Sequence, residues 1–136
     1  MGKISGPLVD RIDIHIEVPA VAFRELSGDT PGTSSSQMRA EVAAARQVQA
    51  ERFRDAKTRY NGDMSHRMVR RCCALADECR NLLRGAMTEL GLSARAHDKV
   101  LRVARTIADL AHSDAIRPEH LDEAVNYRML DRQLWT

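Results

Sequence analysis

Arginine is the residue type on which chemistry in this chain would rest. Of its 21 lysines and arginines, just Lys3, Lys57 and Lys99 are lysine. The planar guanidinium fork suits phosphate and carboxylate better than a compact ammonium does, although a GC-rich gene gives the same bias. Three groupings stand out. In "PLVDRIDIHIEV" Arg11 lies between Asp10 and Asp13, and in "LSARAHDKVLRVARTIADL" Arg95, Arg102 and Arg105 recur along one apolar-periodic stretch. Arg67, Arg70 and Arg71 are followed by Arg80 and Arg84. Each grouping has an ordinary reading. Arg11 with its aspartates makes local ion pairs worth ~0–1 kcal/mol if exposed, and Arg95, Arg102 and Arg105 form a solvent face. The five clustered arginines would reach DNA phosphates, but aromatic content is 4% and none is interleaved with them. A base-stacking platform is therefore not expected, and a solvated face is the plainer reading.

Other reactive residues carry less. Cys72, Cys73 and Cys79 with His66 could be imagined around a metal, yet structural zinc takes four ligands, usually from turns, and adjacent cysteines on a helix point about 100° apart. Helical core cysteine is the expectation, with no metal site. His15 alternates onto the polar face of its segment, so a half-exposed side chain is expected ahead of a pH switch. There is no G-x-x-x-x-G-K-[ST] loop, G-x-S-x-G elbow, H-E-x-x-H or C-x-x-C, so the chain alone has no means of cradling and hydrolysing a nucleoside triphosphate. It is not expected to be an enzyme by itself.

These residues need elements to place them. With 136 residues, 43% apolar and 29% charged, the chain is long enough for one domain with a real core. A net charge of +2 does not by itself imply nucleic acid. No stretch approaches the ~20 apolar residues of a membrane span, no secretion signal is evident, and three clustered cysteines suit a reducing compartment. A cytoplasmic location without membrane association is the expectation. Met1, Gly2 and Lys3 are set aside from fold reasoning.

From Arg11 to Val18, Ile12, Ile14, Ile16 and Val18 alternate with Asp13, His15 and Glu17, the period of a β-strand. No second strand follows, so its backbone groups lack sheet partners, and a larger parent is implied. "DTPGTSSS" marks a loop. Helices follow to the end. Ser34 and Gln37 form a capping box for a helix running to about Tyr60, stopped by Asn61 and Gly62, with Met38, Val42, Ala45, Val48 and Phe53 as its apolar stripe. A second helix opens near Ser65 and buries Met68, Val69, Cys72 and Leu75. A third, from about Asp77, buries Leu82, Leu83, Ala86, Met87 and Leu90 and ends at Gly91. The fourth, Ser93 to about His112, carries Val100, Leu101, Ala104, Ile107, Ala108 and Ala111 and belongs at the centre. Pro118 opens a fifth with Leu121, Ala124, Val125 and Met129 inward. The expected architecture is mostly α: residues 1–33 hold one strand and a connecting loop, and residues 34–136 form a helical bundle.

Four blocks, "ISGPLVDRIDIHIEVP", "FRELSGD", "LSARAHDKVLRVARTIADLA" and "IRPEHLDEAVNYR", resemble the magnesium-chelatase-like branch of the AAA+ ATPases, most nearly its ComM/YifB type. The resemblance covers Ile4 to Arg132. It implies that the strand is the last of an AAA+ α/β core whose other strands and P-loop lie upstream, and that the bundle is the C-terminal lid. It also implies ATP and Mg²⁺ in the parent, neither held tightly by this portion. The expected partners are its own AAA+ core, neighbouring subunits of a ring, and DNA.

By the same resemblance Arg11, after "LVD" where "LLD" is usual, is the arginine finger acting in trans on a neighbour's γ-phosphate. Arg95, in "SAR", is the sensor 2 residue at the ATP phosphates, with Arg102 and Arg105 further along the helix as weaker candidates. "RRCCAL" stands where a histidine before the cysteine is usual. The implied function is ATP-driven DNA remodelling, branch migration during recombination in natural transformation. The alternatives are the ATPase subunit of a magnesium chelatase and an autonomous helical interaction module.

Overall fold

The computed structural model describes residues 6–128. Its helices are α1 (Gly6–Arg11), α2 (Phe23–Leu26), α3 (Ser35–Arg52), α4 (His66–Cys72), α5 (Asp77–Leu90), α6 (Ala94–Leu110) and α7 (Pro118–Asn126), with a 3₁₀ turn at Asn61–Asp63. Helix α6 is the axis of the bundle, packed by α3, α4, α7 and the 3₁₀ turn, while α5 leans on α7. The sequence accounts for this place. Ser93 caps α6 by accepting the Ala96 N–H at 3.1 Å, which satisfies one of the donors a helix start leaves open. Ala96, Val100, Leu101, Ala104 and Ala108 then bury one face, and the three alanines let neighbouring helices approach closely.

Around that face close Phe53, Met64, Val69, Cys73, Cys79, Leu83, Ile116, Leu121, Ala124 and Val125, one continuous core. Met68, Cys72, Leu75, Leu82, Ala86, Met87, Leu90 and Ile107 lie half-buried against it. Termini follow simple chemistry. Asp77 and Glu78 occupy the first turn of α5, where the helix dipole favours negative charge. Gly91 ends it at φ +61°, a left-handed C-cap for which glycine carries no Cβ penalty. Pro118 opens α7, and His120 Nδ1 accepts the Arg117 N–H at 3.0 Å. The expected inward Met129, and the ends of the resembling blocks beyond 6–128, lie outside the described residues.

Three expectations change. The strand over Arg11–Val18 is absent: Gly6–Arg11 is helical, and no β-structure occurs among the described residues. A lone strand has no ladder to complete, so its backbone groups turn to what is near. His15 N–H donates to Tyr127 O at 2.7 Å, and Ile12 O accepts from the Arg128 guanidinium. Side-chain alternation is inverted as well. His15 is 7% exposed, whereas Ile16 and Val18 are 63% and 77% exposed.

The first long helix stops at Arg52 rather than Tyr60. Phe53 leaves the helix with φ −106° and ψ 20° and turns its ring into the core, while the Arg52 side chain is drawn to Asp109. Finally, most of the α3 stripe stays outside, with Met38, Val42 and Val48 exposed. Within α3 only Ala45 and Gln49 are buried, the latter with its Oε1 accepting the Asn61 N–H at 2.9 Å.

Candidate functional site

Helix α1 lies against the start of α6, and polar groups hold it there. Asp10 Oδ1 accepts from Ser93 Oγ at 3.0 Å, so the cap of α6 both closes its helix and grips α1. Lys99 Nζ donates to Arg11 O at 3.1 Å and also meets the Asp13 carboxylate. Arg128, 1% exposed at its side chain, reaches Asp10 Oδ1 at 3.5 Å besides Ile12 O. His15 Nε2 donates to Val9 O at 3.0 Å, which closes the arm on itself, and Val9 is its one buried apolar residue among those described.

Arg11 is held at its backbone while its guanidinium makes no hydrogen bond or ion pair among the described residues, and its side chain is exposed. The flanking aspartates are engaged elsewhere, so the local pairing expected from sequence does not form. Arg95, one turn before Lys99 on α6, is exposed and equally unpaired among the described residues. Both exposed arginines thus sit where α1 meets the start of α6, Arg11 on the segment tied to Ser93 and Lys99 and Arg95 between those two residues on α6.

Arg102 and Arg105 are placed differently. Arg102 donates through Nε and Nη2 to Met64 O at 3.1 and 2.8 Å, which ties the chain before α4 to α6. Arg105 is buried, correcting the reading of a uniform solvent face. It donates to Asp114 O and Ser113 O at 3.0 and 2.7 Å, satisfying carbonyls past the end of its own helix.

Arg105 Nε lies 3.3 Å from Asp109 Oδ1, close enough for an ion pair but not aligned for a hydrogen bond. Asp109, fully buried, also receives Arg52 in a two-pronged contact of 2.8 and 2.7 Å and Asn61 Nδ2 at 2.8 Å. Pairing with Asp109 raises the Arg52 pKa despite the opposing effect of burial. This buried network was not anticipated from sequence; its only signal was an aspartate on the apolar side of a helix.

No group of three or more metal-ligating side chains forms among the described residues. Cys73 and Cys79 are core residues; burial pushes the Cys73 thiol up to about 12 and raises that of Cys79. His66 instead faces Asp98, Nδ1 to Oδ2 2.7 Å, and His97 meets the other carboxylate oxygen at 3.2 Å. Burial works to raise the Asp98 pKa, but the two histidine contacts outweigh it and hold the carboxyl below its usual range. Arg67, Arg70, Arg71, Arg80 and Arg84 are all exposed. No described helix is long and apolar enough to cross a membrane.

Residues 32–128 match the family described as magnesium chelatase, subunit ChlI C-terminal. Over 98% of its length the chain is 40% identical to YifB of Escherichia coli and 38% identical to the competence protein ComM of Haemophilus influenzae. A protein of Mycobacterium bovis, Mb2921c, is 34% identical over 94% of the chain. The chain spans about a quarter of the length of these relatives, 26% for the first two. A helical bundle centred on α6, matched through nearly all of its length, thus joins the sequence evidence: the chain belongs to the magnesium-chelatase-like AAA+ family of the ComM/YifB type, as its C-terminal portion.

Proposed function

We propose that this chain is the lid of a ring-forming AAA+ ATPase, and that it couples ATP binding and hydrolysis to remodelling of DNA. The supporting observation is the pair of exposed guanidiniums, Arg11 and Arg95, without a hydrogen bond or ion pair among the described residues, on segments that meet at the start of α6. Buried arginines elsewhere in the molecule satisfy carbonyls or Asp109; these two are held in place and left without an internal anion. A place of that kind suits a triphosphate, for which the guanidinium fork supplies paired donors.

Arg11 would reach the γ-phosphate bound by a neighbouring subunit and stabilise the charge that develops during phosphoryl transfer. Arg95 would act as sensor 2, closing the lid onto the phosphates. Arg102, engaged at Met64 O, suits that role less. Mg²⁺ would be held by Walker residues outside this chain and would neutralise the phosphate oxygens.

ComM is named a competence protein, which supports a task in natural transformation; the task we propose for the parent is branch migration during recombination of incoming DNA. In the full-length parent, Arg11→Ala should lower ATP turnover by roughly 10³-fold or more and leave nucleotide affinity near wild type. Arg95→Ala should weaken the coupling of nucleotide to lid closure. Unchanged turnover in the Arg11 variant would overturn the reading. The family description favours a second reading, the ATPase subunit of a magnesium chelatase, which ATP-dependent insertion of Mg²⁺ into a porphyrin by the parent and its partner subunits would establish.

A further inference from the structure

Between α4, α5 and α6 opens a cleft of about 600 Å³ that the proposed nucleotide contacts do not use. Its rim carries Arg70 from α4, Arg80 and Arg84 from α5, and His97 from α6, its floor is apolar at Leu83 and Leu101, and no carboxylate lines it. The tertiary structure therefore selects three of the five clustered arginines and sets them around one hollow.

Arg70 and Arg84 make no ion pair among the described residues. Arg80 has a weak pair with Asp77, 3.3 Å away and 93% exposed at its side chain, and a 3.3 Å contact to Leu75 O. Arg80 and Arg84 stand one helical turn apart, about 6 Å along α5, near the step between successive phosphates of a strand. Arg70 faces them from another helix. Low-dielectric walls under a rim of one sign focus the field within the cleft.

We propose that this cleft binds the phosphodiester backbone of single-stranded DNA. This rests on the reading of the parent as a DNA-remodelling ATPase and assigns that activity a contact surface. Backbone recognition, rather than base readout, follows from the lining. Planar guanidinium forks match phosphate oxygens, and neither an aromatic platform nor a set of amide side chains is present to read bases. Binding is therefore sequence-independent and strongly salt-dependent, because each neutralised phosphate releases condensed counterions.

The test is fluorescence anisotropy of the 136-residue chain with a labelled oligothymidylate, at low and moderate salt. Three phosphate contacts predict roughly a twentyfold loss of affinity between ~50 and ~200 mM salt. The triple variant Arg70→Gln, Arg80→Gln, Arg84→Gln should weaken binding by about tenfold or more and remove most of that salt dependence. The Lys-for-Arg triple variant should retain the salt slope, which separates lost charge from lost fold. Arg39→Gln, on exposed α3, should bind as wild type.

An equal loss in the Arg39 variant, no binding by the wild-type chain, or displacement of the oligonucleotide by an equal charge concentration of polyglutamate would each overturn the proposal, the last in favour of an acidic peptide. Such a failure leaves the ATPase result for Arg11→Ala standing. Loss of the Arg11 assignment, conversely, does not alter oligonucleotide binding by this chain.

Discussion

The N-terminal arm, residues 6–26, and the bundle built on α6 are both supplied with branched aliphatic side chains, but they handle them in opposite ways. The bundle seals Val69, Val100, Leu101, Leu121 and Val125 in one core, while the arm leaves Ile12, Ile14, Ile16, Val18 and Leu26 facing solvent. Besides the buried Val9, what fastens the arm is polar: Ser93 to Asp10, Lys99 to Arg11 O, Arg128 to Ile12 O and Tyr127 O to His15. Apolar burial is non-directional and adds up over area, so the bundle is one cooperative unit. Directed hydrogen bonds at a few points position a segment without welding it. The arm is thus an attached part that keeps most of its apolar side chains exposed.

The largest effect expected from breaking this contrast is at Asp109. Asp109→Ala leaves the Arg52 and Arg105 guanidiniums without their shared carboxylate, and removing one partner of a buried ionic network costs about 3–5 kcal/mol. Thermal unfolding followed by circular dichroism should show a fall in Tm of many degrees; a loss under about 1 kcal/mol would mean that water reaches this network. Arg128→Ala addresses the arm instead. Hydrogen exchange at the His15 amide should accelerate by about tenfold or more, as expected for loss of a charged contact worth ~1.5–3 kcal/mol, while α6 amides keep their protection. Equal deprotection of α6 would erase the distinction between the two regions.

A smaller cost falls at the end of α5. Nothing crowds a Cβ at Gly91, but its φ of +61° strains any L side chain, so Gly91→Ala should destabilise by about 1 kcal/mol. Urea denaturation that showed no change would mean the C-cap relaxes freely. The smallest effect concerns Asp98, which joins α6 to His66 at the start of α4. Its carboxyl is held below the usual range when folded, so its contribution is complete above the unfolded pKa of about 3.9 and drains away as pH falls through the lower folded value. Stability measured from about pH 5 down to 2 should fall less steeply in Asp98→Asn than in wild type. Parallel curves would show that the histidine contacts are not kept in solution.

Much of the bundle was legible in one dimension. The Ser34–Gln37 box, the helix starts at Ser65 and Ser93, where each hydroxyl accepts the N–H three residues on, the Gly91 stop and Pro118 at a helix start are local events. The apolar spacing of α6 likewise announced its central place, since a helix with that much buried surface has to be surrounded. The candidate residues Arg11 and Arg95 came from family resemblance, and the sequence could name them but not say what held them. Ser93, Lys99 and Arg128 became visible only with the arm laid on the bundle.

The sequence by itself determined that five helices follow residue 33, where most of them start, and the family. Tertiary structure decided the rest, because those outcomes depend on partners distant along the chain. Whether a β-patterned segment becomes a strand depends on a neighbour to complete its ladder, so residues 12–18 carry no regular secondary structure here. Whether an arginine is free to meet a ligand depends on what anions and carbonyls the fold brings to it. Helical spacing treats Arg95, Arg102 and Arg105 alike. The fold leaves the first unpaired, commits the second to Met64 O and buries the third beside Asp109.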